Sequence, residues 1–181
     1  MFDNIASIDI GYSSVKLIKA KRGFRNFEII SASFEEYDLE LAVKDYKTAV
    51  DNSFRRLIEK TDISECKAII TVSSDKLLLR NIAFPFSDMS KIADAIPYEA
   101  EEIIPYSIDS VIYDFQSLPV KSSEGRSVIL TATGKNIIAE SINNLNEFGI
   151  YPDFIGIEAN AHLRCYEYFN SVSNENILVL D

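Results

Sequence analysis

Asp9, Gly11, Tyr12, Ser13, Ser14 and Lys16 fall within one short stretch of this chain, and their types suggest one kind of chemistry. Backbone N–H groups at a tight turn, two hydroxyls and an ammonium can hold phosphate oxygens. A carboxylate such as Asp9 cannot, but it can hold Mg²⁺ directly or through water. The apolar runs on either side of Gly11 predict two strands joined by a tight turn over residues 11–14, with Asp9 at the tip of the first strand. Gly11 is a residue that readily takes positive φ. Asp, Gly and Ser are also ordinary turn residues, so spacing alone leaves two readings open: a phosphate loop, or a turn that binds nothing.

The totals narrow the function classes. The chain has 181 residues, 47% of them hydrophobic, which is enough for one large domain or two small ones with a sizeable core. Its net charge of −10 makes it a poor match for nucleic acid or an anionic membrane surface and fits a cytoplasmic protein that meets basic partners. Cys66 and Cys165 are far apart and lack metal-ligand spacing, so two free thiols are expected. The single histidine, His162, lies in a helical pattern and reads as a packed or surface residue rather than a catalyst. No signal peptide opens the chain, and no stretch approaches the ~20 apolar residues of a membrane span.

Positioning the hairpin requires a sheet. A third strand is expected at 27–32, a loop at 33–40, one helix from Leu41 to Lys60, and a buried strand at 67–72. This β-β-β-α-β order gives a mixed sheet. A second unit follows with the pattern β-α-β-β-α: a strand at 77–84, a helix from about Asp88 to Ile104, strands at 111–118 and 126–133, and a helix at 135–148 capped by Gly149. Pro97 lies inside the 88–104 helix and is expected to kink or split it. Asp88, Asp94, Glu99, Glu101, Glu102, Asp109 and Asp114 are offset locally only by Lys91. They read either as a solvated face or as a docking surface for a basic segment. A strand at 151–157 and a helix from Glu158 lead to a last apolar run, 177–180, that ends on Asp181 and echoes Ile8-Asp9. That echo reads as the start of a second structural repeat, so that the chain is the first half of a longer protein.

These residues together carry a family resemblance. Ile8-Asp9-Ile10-Gly11 with Ser13, Ser14 and Lys16 resembles the first phosphate loop of actin-like ATPases. Arg80 through Phe84-Pro85-Phe86, the run Tyr98-Glu99-Ala100-Glu101-Glu102-Ile103-Ile104-Pro105 and Phe148-Gly149-Ile150-Tyr151-Pro152 resemble the family of PilM, a cytoplasmic type IV pilus assembly protein, and of the cytoplasmic part of GspL from type II secretion.

The resemblance implies an α/β actin-like (ribonuclease H-like) fold with an inserted α+β subdomain, first lobe only. Residues 1–75 and 153–181 would form subdomain IA and residues 76–152 the inserted subdomain IC. Asp9, Gly11, Tyr12, Ser13, Ser14, Lys16 and Asp181 would line an ATP site, with Asp9 holding Mg²⁺ through water and Glu158 facing the cleft. No tight ATP binding is expected from this half alone. Arg80, Glu99, Glu101, Glu102 and Pro105 would meet the partner. The implied role is a cytoplasmic scaffold, peripheral at the inner membrane, for the tail of a PilN-like membrane protein or for a GspE-like secretion ATPase. It would reach the membrane only through partners or a C-terminal span, and self-association into a homo-oligomer stays open. The alternatives are an actin-superfamily ATPase, at most a slow one, or a filament-forming relative of FtsA.

Overall fold

A computed structural model describes residues 3–24, 26–118 and 125–170. The chain divides into two compact units, one of residues up to Ser74 with those from Asn144 onward, the other Asp75–Asn143.

The first unit is built on alternation. β1 (Asp3–Ile10) and β2 (Ser14–Arg22) form the expected hairpin, with Ile8 opposite Leu17 and Asp9 opposite Lys16. β4 (Lys67–Val72) runs parallel to β1 with Ile70 beside Ile8. Ile8, Leu17 and Ile70 therefore stand side by side on one face, and all three are buried. With period-two alternation, burying them turns Asp9 and Lys16 to the opposite face. β3 (Phe27–Glu36) pairs antiparallel with β2, and β8 (Pro152–Ile157) pairs parallel with β4, giving the order β3-β2-β1-β4-β8. Asp153 accepts the N–H of Ala68 at 2.9 Å where the β4–β8 register shifts, so the displaced backbone group keeps a partner.

Two helices cover the buried face. α1 (Leu39–Lys44) and α2 (Tyr46–Lys60) replace the single expected helix, because Asp45 leaves the helical backbone. Its N–H donates to the carbonyl of Leu41, closing α1, and its carboxylate accepts from the N–H of Thr48, opening α2. Phe54 and Leu57 of α2 pack with Ile8, Val15, Leu17 and Ile70, while Leu145, Phe148 and Ile150 join the same cluster. The expected loop at 33–40 is a correction too. β3 continues through Glu36, because β2 still offers a ladder as far as Ser14. Glu35 binds both Arg56 and Lys60, and Ser53 donates to the carbonyl of Glu36, tying this polar end of β3 to α2.

In the second unit β5 (Leu78–Phe84), β7 (Arg126–Gly134) and β6 (Val111–Ser117) form an antiparallel sheet in the order β5-β7-β6. Ile82, Val128 and Leu130 bury against Ile92, Ile96 and Ala100 of α3 (Met89–Ile103). Pro97 does not split α3: the helix is continuous across it, and it is capped at its start by the Asp88 carboxylate. Packing of Ile96 and Ala100 on either side of Pro97 outweighs the one lost hydrogen bond. α4 (Lys135–Asn146) ends at Gly149, whose φ of +72° is the one positive value among the described residues, with Ile150 N–H returning to Leu145 at 3.1 Å. α5 (Glu158–Phe169) follows β8, and its Tyr168 ring stacks on Phe27 of β3 at 4.7 Å. The expected strand at 177–180 lies outside the described residues.

Asp45→Ala removes the carboxylate that opens α2, and it should lower the urea midpoint of the first unit at neutral pH. The ion pairs to Lys60 and Arg56 hold the Glu35 carboxyl below its ordinary value of 4.5. Their contribution is complete above that value and is lost as pH falls through the lowered one. Glu35→Gln should therefore lower stability by up to ~1 kcal/mol at pH 7, and the gap to the wild type should close as the medium becomes strongly acidic.

Candidate functional site

Asp9, Gly11, Tyr12, Ser13, Ser14 and Lys16 lie at or beside the turn between β1 and β2. Gly11 N–H donates to Ser14 O at 3.0 Å, closing the bend. Gly11 does not use positive φ, which corrects one expected reason for a glycine here. Its reason is closeness: a Cβ at this position would stand 3.3 Å from Ser14 O. Tyr12 is 93% exposed and Ser13 is exposed, so both project away from the core. Asp9 and Lys16 form a cross-strand ion pair at 3.3 Å, with 39% and 53% of their side chains exposed. A pair this exposed contributes little to stability, so each group is available to exchange its partner for a ligand.

Two tyrosines distant in the chain complete the turn. Tyr37, between β3 and α1, is 5% exposed, and its hydroxyl lies 3.0 Å from both Gly11 O and Ser14 O. Its N–H donates to Ser13 O at 2.9 Å. Tyr46, the first residue of α2, places its hydroxyl 3.1 Å from Gly11 O and meets the Tyr37 ring edge-on at 5.7 Å. Burial pushes the Tyr37 phenol well above its ordinary range, helped by Tyr46 and the negative charge of Asp9. It keeps its proton, and with it its donor function, at every ordinary pH.

Glu158 is the first residue of α5, and its carboxylate accepts the N–H of Ser74 at 3.0 Å. That bond ties the segment after β4 to the end of β8 and occupies the carboxylate with backbone. Asp181 lies outside the described residues. Among those residues no three His, Cys, Asp or Glu groups gather as metal ligands. Asp9 alone fits a Mg²⁺ ion that keeps most of its waters and takes its other ligands from phosphate oxygens.

In the second unit Arg80 lies on the edge strand β5, exposed, donating to its neighbour's carbonyl at Leu79. Glu101 and Glu102 are exposed in the last turn of α3, Glu99 lies half-buried just before them, and exposed Pro105 follows the helix end. That turn carries no basic residue, and none of the three glutamates has an ion-pair partner among the described residues. Negative charge at a helix C-terminus opposes the macrodipole by about 0.3–1 kcal/mol per charge.

A five-stranded mixed sheet in the order β3-β2-β1-β4-β8, with a hairpin between β1 and β2 and an α+β unit between β4 and β8 in the chain, has the actin-like fold, and its span fits the first lobe. The family model of the type IV pilus assembly protein PilM matches residues 7–179, and the chain belongs to that family. Among solved structures, the PilM–PilN type IV pilus biogenesis complex aligns with a TM-score of 0.72 at 20% identity, over 91% of this chain and 50% of that one. The cytoplasmic domain of EpsL, an inner membrane component of the type II secretion system of Vibrio cholerae, aligns with a TM-score of 0.52 at 10% identity, over 85% of this chain and 57% of that one. The chain thus spans about half the length of these solved relatives. No described helix is long and apolar enough to cross a membrane.

Asp9→Asn and Lys16→Met should each change the unfolding free energy by less than about 1 kcal/mol, since both groups are largely solvated. Urea titration checks this, and a small change would mean that any loss of ligand binding in these variants is a loss of contacts, not of fold.

Proposed function

We propose that this chain is the first lobe of a cytoplasmic scaffold at the inner membrane, within a type IV pilus assembly complex, and that it holds the basic N-terminal tail of a PilN-like membrane protein. Residues 1–75 with 153–181 serve as subdomain IA and residues 76–152 as subdomain IC. The observation that carries this reading is the family match over residues 7–179, which spans both compact units rather than the hairpin alone. The acidic end of α3 supports the choice of partner. Glu99, Glu101 and Glu102 sit where the helix itself disfavours them, and a cationic segment would relieve that cost. Arg80 and Pro105 border the same docking surface in this reading.

The hairpin turn takes the phosphates of Mg-ATP in the full-length protein. Tyr12 and Ser13 N–H groups, the Ser13 and Ser14 hydroxyls and Lys16 contact phosphate oxygens, and Asp9 holds the water shell of Mg²⁺. Nucleotide sets the shape of the scaffold and is not turned over rapidly.

A synthetic PilN-like tail peptide should be retained by the full-length protein. The double variant Glu101→Lys with Glu102→Lys should weaken that retention about tenfold, with a shallower salt dependence. Failure to retain the tail, or retention of a secretion ATPase domain in its place, would overturn the pilus reading. Retention untouched by charge reversal would remove α3 from the docking surface.

A further inference from the structure

Three carbonyl groups of the hairpin turn have donors within the protein. Gly11 O faces the hydroxyls of Tyr37 and Tyr46, Ser13 O accepts the Tyr37 N–H, and Ser14 O accepts from Gly11 N–H and faces the Tyr37 hydroxyl. A phenol has one proton to give. The assignment that gives each of these two carbonyls one phenolic donor has Tyr46 donating to Gly11 O and Tyr37 donating to Ser14 O. Against this, no described group accepts from the N–H of Tyr12 or Ser13. The turn is therefore polarised, with three of its carbonyls drawn toward the protein and two N–H groups left without a protein acceptor.

We propose that Tyr37 and Tyr46 are positioning residues for phosphate binding, a hydroxyl clamp that holds Gly11 O and Ser14 O inward so that the Tyr12 N–H, which shares a peptide plane with Gly11 O, stays presented to an anion. This rests on the reading of the turn as a phosphate loop. The clamp acts before ligand arrives. A peptide unit free to rotate would present its carbonyl oxygen to the phosphate for part of the time, and that oxygen repels it. Fixing the Gly11–Tyr12 peptide plane removes this conformer from the unliganded ensemble and with it a cost of binding. The two tyrosines come from different elements, the β3–α1 link and the start of α2, so the clamp also fastens the turn to the sheet's helical cover. Nothing in the sequence marks either residue, since each is one tyrosine among nine.

The test compares Tyr37→Phe, Tyr46→Phe and Lys16→Ala in the full-length protein. Mg-ATP affinity is read by calorimetry, unfolding by a thermal scan, and turn order by amide hydrogen exchange of the peptide over residues 9–16 without nucleotide. Each Tyr→Phe change should weaken Mg-ATP about fivefold, the value of one ordinary hydrogen bond, and should speed exchange in that peptide. Tyr46, 46% exposed, should do so with the thermal midpoint nearly unchanged, which a merely structural role would not produce. Wild-type affinity in both Tyr→Phe variants, beside a loss in Lys16→Ala, would overturn the clamp and leave the phosphate loop standing. No Mg-ATP binding by the wild type, or none lost in Lys16→Ala, would overturn the phosphate loop and the clamp with it.

Discussion

The structure depends on the register of β1 against β2 and β4. Ile8, Leu17 and Ile70 meet on the face that α2 covers, and the pleat then allows Asp9 and Lys16 only the other face. A slip of one residue would drive a carboxylate and an ammonium into the cluster around Phe54 and Leu57. The cost of burying either charge would exceed anything that the slipped ladder could return. The apolar core thus fixes where the charges of the turn can be. The same packing seats Tyr37 in the buried cluster beneath the turn, and Tyr46, at the start of α2, meets its ring edge-on.

Much of this was legible in the sequence, for a physical reason. Strong alternation around residues 5–20 and the apolar run 67–72 report burial directly, and Gly149 after an amphipathic run reports a helix end that needs positive φ. What escaped was set by contacts between distant residues. Asp45 sits inside a run of helical apolar spacing, so the pattern carries across it. Only its own carboxylate, capping Thr48, shows that the chain breaks there. The polar stretch after Ala32 looks like a loop until Glu35 finds Arg56 and Lys60, more than twenty positions away. Pro97 signals a break that the burial of its neighbours overrides.

The candidate site divides in the same way. Asp9, Gly11, Ser13, Ser14 and Lys16 were legible because they are contiguous and their chemistry is local. Tyr37 and Tyr46 were not, because a tyrosine hydroxyl aimed at a distant carbonyl leaves no trace in spacing. The acidic end of α3 was visible as composition, and the helix end read near Ile104 lies within one residue of its place at Ile103. The family model spans residues of both compact units, so membership does not rest on the hairpin alone.

The central claim is that the turn between β1 and β2 contacts a metal-bound nucleotide beside Asp9. Paramagnetic broadening measures this most directly, with Mn²⁺ in place of Mg²⁺ and ATP added to isotope-labelled full-length protein. The account predicts that the amide resonances of Tyr12 and Ser13 broaden first and that Asp9→Asn abolishes the effect. Resonances that stay sharp while Mn-ATP saturates the protein would contradict it.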